Sequence, residues 1–243
     1  MIPKIIHYFW FGGNQKPEIV LRCIRSWKKF MPDWEIKEWN ETNYDVQKSA
    51  YMRQAYAQKM WAFVSDYARF DILYQYGGIY LDTDVEMLKS MPEEILNKDA
   101  FTGMESTGYV GPGLIFGCPP FYWITKKMLE YYKRIKFDGN SSKNPTTVNE
   151  LITSVLILEG FVISNIYQDI NGLAIYPSCY FSGYDLDVHE KAITRETILS
   201  HHYAGSWVKK GIKSYIKIMV KKIFGIKIYR KIIMCKRRIL DHW

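Results

Sequence analysis

Asp82 and Asp84 stand two residues apart just after a short apolar run, Ile79-Tyr80-Leu81, and two glycines, Gly77 and Gly78, separate that run from a helical pattern. If 79–81 is a buried strand, both carboxylates sit where it ends and on the same side of an extended backbone. Open α/β sheets hold their ligands at such strand ends. Two oxygen-donor side chains there suit a divalent cation, and Mg²⁺ or Mn²⁺ bound by one or two carboxylates usually also takes substrate phosphates. The expected chemistry is a metal–diphosphate site. An isolated Asp-x-Asp also fits an aspartate capping the turn after a strand. One helical segment earlier, Asp66 and Arg69 are three residues apart and share a helix face, where taken alone they read as an ordinary ion pair.

The elements that must carry these residues follow from periodicity. Residues 4–11 are β-branched and aromatic between Pro3 and Gly12-Gly13, a strand followed by a turn. Pro17 opens a helix over 17–30, with Ile19, Ile24 and Trp27 on its buried face, and Met31-Pro32-Asp33 stops it. Residues 34–39 alternate apolar and polar, which predicts a half-buried second strand. A single helix is expected over 51–76. Further strands are expected at 100–104, 114–117, 161–163 and 174–176, with helices at 121–134 and 147–159. Alternating βα units followed by mixed short strands predict a Rossmann-like α/β layer.

Length and composition are compatible with that layer. The chain has 243 residues, 48% hydrophobic and 24% charged, enough for one sizeable globular domain. Aromatic residues make up 16% of it; such rings line sugar and nucleotide sites and also fill cores. Four scattered cysteines (Cys23, Cys118, Cys179, Cys235) show no metal-ligand spacing and predict reduced thiols. The N-terminus has no signal-peptide pattern and runs directly into the first strand, and no apolar run reaches the ~18 residues of a spanning helix. The expectation is a cytoplasmic protein.

The compound pattern Ser65-Asp66-x-x-Arg69, Leu73-Tyr74-x-Tyr76-Gly77-Gly78-Ile79-Tyr80-Leu81-Asp82-x-Asp84 is far rarer than either of its parts. It resembles the sugar-binding Asp-x-Asp region of glycosyltransferase family 32, which includes Golgi initiating mannosyltransferases, α-1,4-galactosyltransferases and bacterial capsular-polysaccharide transferases. The catalytic domains of large clostridial glucosylating toxins are more distantly similar. Ile2-Pro3-Lys4-Ile5-Ile6-His7-x-x-Trp10, Pro32-x-Trp34 and His201-His202-x-x-x-Ser206-Trp207 fit as well, so the resemblance spans residues 1–208.

The resemblance implies a GT-A fold, a nucleotide-sugar donor (UDP- or GDP-hexose), Mn²⁺ or Mg²⁺, retention of anomeric configuration, and a glycan or glycolipid acceptor. Asp84 would be a direct metal ligand, and Asp82 would bind the ribose and the metal. Asp66 and Arg69 would hold the donor sugar, and Tyr80 would line the nucleotide-sugar site. Trp10 would stack on the base, or else be a core residue. His201 or His202 would complete the metal shell, and Ser206 and Trp207 would contact the diphosphate. Gly111-Pro112-Gly113 permits close backbone approach to a ligand, and Pro145-Thr146-Thr147 resembles the start of an acceptor-side helix.

Beyond residue 208 the composition changes. Residues 209–243 hold twelve Lys or Arg against one acid, Asp241, a net +11, whereas 1–208 carries −3. Ile212, Tyr215, Ile216, Met219, Val220 and Ile223 form a helical stripe among lysines, the pattern of a basic amphipathic helix on an anionic membrane surface. No nucleic-acid-binding motif accompanies the charge. A catalytic domain over 1–208 and a membrane-surface tail over 209–243 are expected, peripheral on the inner face of the cell membrane. Two other readings remain open at this level. One is a phosphatase of the haloacid-dehalogenase type, whose nucleophile motif is also Asp-x-Asp after a strand. The other is a non-enzymatic peripheral membrane module whose carboxylates are structural.

Overall fold

The computed structural model describes residues 1–137 and 147–204. Along the chain, β1 (Ile5–Phe9), α1 (Glu18–Phe30), β2 (Glu35–Trp39), α2 (Ala50–Ala57), α3 (Trp61–Tyr76) and β3 (Gly78–Tyr80) come first. They are followed by β4 (Val85–Met87), α4 (Glu93–Leu96), β5 (Ala100–Gly103), β6 (Phe116–Cys118) and α5 (Trp123–Arg134). The rest is α6 (Val148–Ile157), β7 (Gln168–Ile170), β8 (Leu173–Tyr176), α7 (Ser178–Phe181), β9 (Tyr184–Asp185), β10 (Glu190–Lys191) and β11 (Leu199–His201). The tail from 209, Ser206, Trp207 and the Pro145-Thr146 pair lie outside the described residues.

A seven-stranded mixed sheet runs in the order β2-β1-β3-β6-β5-β8-β7. β1 pairs in parallel with β2 and β3, and β6 is antiparallel to both of its neighbours. Successive side chains of a strand leave on opposite faces, so β1 feeds two cores. Phe9 packs in one core with residues of α2, α3, α5 and α6, while Ile6 and Tyr8 pack in the other with Cys23 and Trp27 of α1. The expected Rossmann-like α/β layer is the observed architecture. No helix among the described residues is long and apolar enough to cross a membrane.

Three expectations are corrected. The helix expected over 51–76 is two helices. Lys59 takes a left-handed φ of 56°, and Met60 N donates to Ala55 O, closing α2 before α3 begins. Both halves carry apolar residues at helical spacing, so the break left no mark in the pattern. Residues 161–163 form no strand; the Gln168 side chain bonds both the N–H and the C=O of Val162, taking the place of a neighbouring strand. On α1 the fully buried residues are Cys23 and Trp27, with Ile19 and Ile24 only at the margin of the core.

The β3 end is held from below by His7. Its Nδ1 accepts from the Trp39 indole N–H at 3.1 Å, and its Nε2–H donates to Gly77 O at 2.9 Å, tying β1, β2 and the exit of α3 together. Gly77 and Gly78 both have positive φ (62° and 93°), which lets α3 stop and reverse into β3 within two residues. Burial is the largest influence on His7 and lowers its pKa from 6.5 to about 4, with Lys37 adding to the effect and the Gly77 bond opposing it. The folded chain therefore binds fewer protons here than the unfolded one. The contribution is complete above pH 6.5 and is lost as the pH falls to about 4, about 3 kcal/mol at full effect. Thermal melts between pH 7 and 4 should show this loss, and His7→Gln should flatten the dependence while lowering stability at pH 7.

Candidate functional site

The Asp-x-Asp pair sits where three elements meet. Its backbone is set by α1: the Trp27 indole N–H donates to Val85 O at 2.8 Å, and Met87 N donates to Ser26 Oγ at 2.9 Å. β4, held in this way, pairs antiparallel with β11 in the register His201↔Val85, Ser200↔Glu86. That pairing carries the C-terminal histidines to the aspartates across more than a hundred residues of sequence. β4 and β11 were not foreseen, because a three-residue strand is too short to show a period.

Asp84 is bound on both oxygens. His201 Nε2 donates to Oδ1 and Ala204 N to Oδ2, each at 2.9 Å. Burial works against its charge, but His201 and the Ala204 N–H outweigh it, and the carboxyl is lowered to about 2. For His201 burial opposes protonation, and the nearby Asp84, Asp82 and Glu105 carboxylates leave its pKa raised. Its Nδ1 is buried with no hydrogen-bond partner among the described residues. One ligand atom from each of Asp82, Asp84 and His201 falls within 4.8 Å of the others. His202, adjacent in an extended chain, turns to the other side: its Nε2 bonds Glu86 Oε2 at 2.8 Å, and Arg22 pairs with the same carboxylate at 3.4 Å. Of the two histidines, only His201 joins the aspartates.

Asp82 is oriented by a second set of contacts. Tyr80 OH donates to its Oδ1 at 2.7 Å, and Asp82 N donates to Gly113 O at 2.9 Å. Arg69 Nη2 lies 3.5 Å from the same Oδ1 and 2.7 Å from Asp66 Oδ1, and the guanidinium lies over the Tyr80 ring at 4.8 Å. Arg69 and Asp66 are both buried. Burial pushes the Asp66 carboxyl up, with Arg69 opposing and Asp82 adding to the rise. Arg69 Nη1 is buried without a partner among the described residues, a donor still to be used. The expected glycine-rich approach is at Gly113, but the group that needs the space is protein: a Cβ there would lie 2.0 Å from Asp82 Oδ2.

Trp10 follows β1 at the same sheet end. It is partly buried against the α1-side core, and its indole N–H donates to Asn14 O at 2.6 Å. Sequence reasoning passed over Glu105 as a site residue. It follows β5 much as Asp82 follows β3, accepts from Tyr203 OH at 3.2 Å, and is raised chiefly by burial, with His201, Asn149 and Tyr203 opposing and Asp82 adding. An acid just past the end of a buried strand was the available signal.

The donor set is two carboxylates and one imidazole, with a third carboxylate close by. Excess negative charge and converging oxygen ligands fit a divalent cation. The buried Arg69–Asp66 pair beside it offers a cation and an acceptor to a polar ligand.

Residues 17–102 match the family model described as glycosyltransferase sugar-binding region containing DXD motif. The chain is 32% identical over 121 residues to inositol phosphoceramide mannosyltransferase 1 of Schizosaccharomyces pombe, covering 45% of this chain and 36% of that protein. It is 34% identical over 131 residues to the alpha-1,4-N-acetylglucosaminyltransferase of Homo sapiens, covering 52% of this chain and 36% of the relative. The chain thus spans about a third of the length of these curated relatives. Among solved structures it is similar to the PaToxG glycosyltransferase, with a TM-score of 0.48 and 21% identity over 65% of this chain and 69% of the other.

Substituting the two histidines separately tests the geometry. His201→Ala should weaken Mn²⁺ binding, read by calorimetry, by about tenfold or more, while His202→Ala, outside the ligand group, should change it less than about threefold. Gly113→Ala should displace the Asp82 carboxylate and weaken Mn²⁺ binding in a protein that still melts cooperatively.

Proposed function

We propose that this chain, whose residues 17–102 match the model of the DXD-containing glycosyltransferase sugar-binding region, is a metal-dependent, retaining glycosyltransferase. It moves a hexose from a nucleotide-diphosphate sugar to a lipid-linked or surface-polysaccharide acceptor. The observation that carries this reading is the convergence of Asp82, Asp84 and His201 within 4.8 Å beside the buried Arg69–Asp66 pair. The family match over residues 17–102, which hold Asp66, Arg69, Asp82 and Asp84 but not His201, favours this reading over the phosphatase reading of Asp-x-Asp.

Breaking the bond between sugar and diphosphate leaves charge on the phosphate oxygens, and fixed charges aimed at that position lower the barrier. Mn²⁺ or Mg²⁺ held by Asp82, Asp84 and His201 would neutralise part of that charge as a Lewis acid. The chain's own groups do the rest. Arg69 offers its unused Nη1 to the donor from a buried position, where a charge acts more strongly than in water. Asp66 accepts from a sugar hydroxyl and keeps Arg69 in place. Tyr80 fixes the Asp82 carboxylate so that its orientation need not change during the reaction. The basic amphipathic pattern after residue 208 supports a position on the anionic cytoplasmic face of a membrane, where a lipid-linked acceptor would be presented.

Asp84→Ala should reduce Mn²⁺-dependent hydrolysis of the preferred nucleotide-sugar by about a hundredfold or more. Loss of less than threefold would refute the role given to the metal group. Deleting residues 209–243 should abolish sedimentation with anionic liposomes while leaving nucleotide binding in place; unchanged sedimentation would refute the role of the tail.

A further inference from the structure

A cleft of about 620 Å³ opens where the chain leaves β1 and β2, and among its lining residues are Gly12, Asn14, Glu41, Tyr56, Lys59 and Trp61. None of these belongs to the Asp82–Asp84–His201 group. The walls are set by contacts. The Trp61 ring lies against Gly12, where a Cβ would come within 2.8 Å of it, and Tyr56 meets Trp61 edge-on at 5.2 Å. Glu41 is exposed, yet its Oε1 is pinned by Gly12 N at 2.6 Å and Tyr56 OH at 3.1 Å. Its bonds to the described residues all end on Oε1, so Oε2 remains for a ligand. Lys59, held in a left-handed conformation at the break between α2 and α3, brings a cationic residue to the same cleft. Trp10 bonds Asn14 O and so braces this loop.

α3 joins the cleft to the catalytic group. Trp61, Ser65 and Arg69 recur every four residues and so lie on one helix face. The rise from the first to the last is about 12 Å, comparable to the reach from a base to the distal phosphate of a nucleoside diphosphate. Aromatic faces accept any base; a fixed carboxylate beside a lysine does not.

We infer that the cleft takes the base of the donor and that Glu41 and Lys59 select guanine, making the donor a guanosine-diphosphate sugar. The pairing edge of guanine presents the O6 acceptor followed by two adjacent donors, N1–H and the N2 amino group. Lys59 complements the first, and Glu41 Oε2, the oxygen left for a ligand, accepts from the other two through its two lone pairs. Uracil presents acceptor, donor, acceptor, so a carboxylate in that position faces a carbonyl oxygen and repels it. This inference rests on the glycosyltransferase reading above and adds the identity of the base.

The test is calorimetric titration of the full-length protein with GDP, IDP and UDP in the presence of Mn²⁺. GDP should bind about tenfold or more tightly than UDP, and also than IDP, which lacks the N2 amino group. Glu41→Gln should narrow the GDP/UDP ratio by about tenfold. Because IDP probes the contact on unaltered protein, the result does not depend on the variant folding. UDP binding as tightly as GDP, IDP equalling GDP, or a variant that weakens GDP and UDP by the same factor overturns the inference alone. Failure of all three nucleotides to bind with Mn²⁺ overturns it together with the glycosyltransferase reading.

Discussion

The buried charge of Arg69 is the constraint from which the site is built. An arginine with 3% of its surface exposed is tolerable only if its charge is answered close by. Asp66 answers at 2.7 Å, Asp82 at 3.5 Å, and the Tyr80 ring faces it at 4.8 Å. Asp82 is thereby fixed by groups of α3 and β3, independently of any cation. Because Arg69 Nη1 has no hydrogen-bond partner among the described residues, the arrangement is complete as a fold and incomplete as a hydrogen-bonding system. That donor is available to a polar ligand.

α3 can carry such a group because it is buried nearly all round. Ten of its sixteen residues are buried, so the helix cannot turn its polar residues to water and must satisfy them internally. On the opposite side Asp71 does this with Tyr44, Lys48 and Gln75, each within 2.8 Å. That cluster closes on itself. The Asp66–Arg69 cluster does not, because Arg69 Nη1 has no partner among the described residues.

The second half of the site comes from backbone pairing. β4 is too short to be stable alone, and α1 holds it through Trp27 and Ser26 while β11 pairs along it. The pairing register places His201 against Asp84 and turns His202 toward Glu86. Alternation along an extended chain separates two neighbours of identical type, and a shift of one residue would exchange their roles.

Much of this was legible in the residues. The glycine pair, the apolar run and the two acids marked a strand end, and the three-residue spacing put Asp66 and Arg69 on one helix face. These are local properties, with fixed periods that a sequence carries openly. The two helices in place of one, the β4–β11 pairing, the entry of Glu105, and the closeness of Gly113 to Asp82 were not legible. A left-handed Lys59 leaves the apolar stripe on either side intact. Three-residue strands have no readable period. Which loop packs so closely on a carboxylate that a Cβ at Gly113 would lie 2.0 Å from Asp82 Oδ2 depends on how separate elements pack. The sequence by itself determined which side chains could do the chemistry, because type and spacing are covalent. The tertiary structure alone decided which of them meet, and that His201 rather than His202 faces the aspartates, because register and packing are set by contacts between residues far apart in the chain.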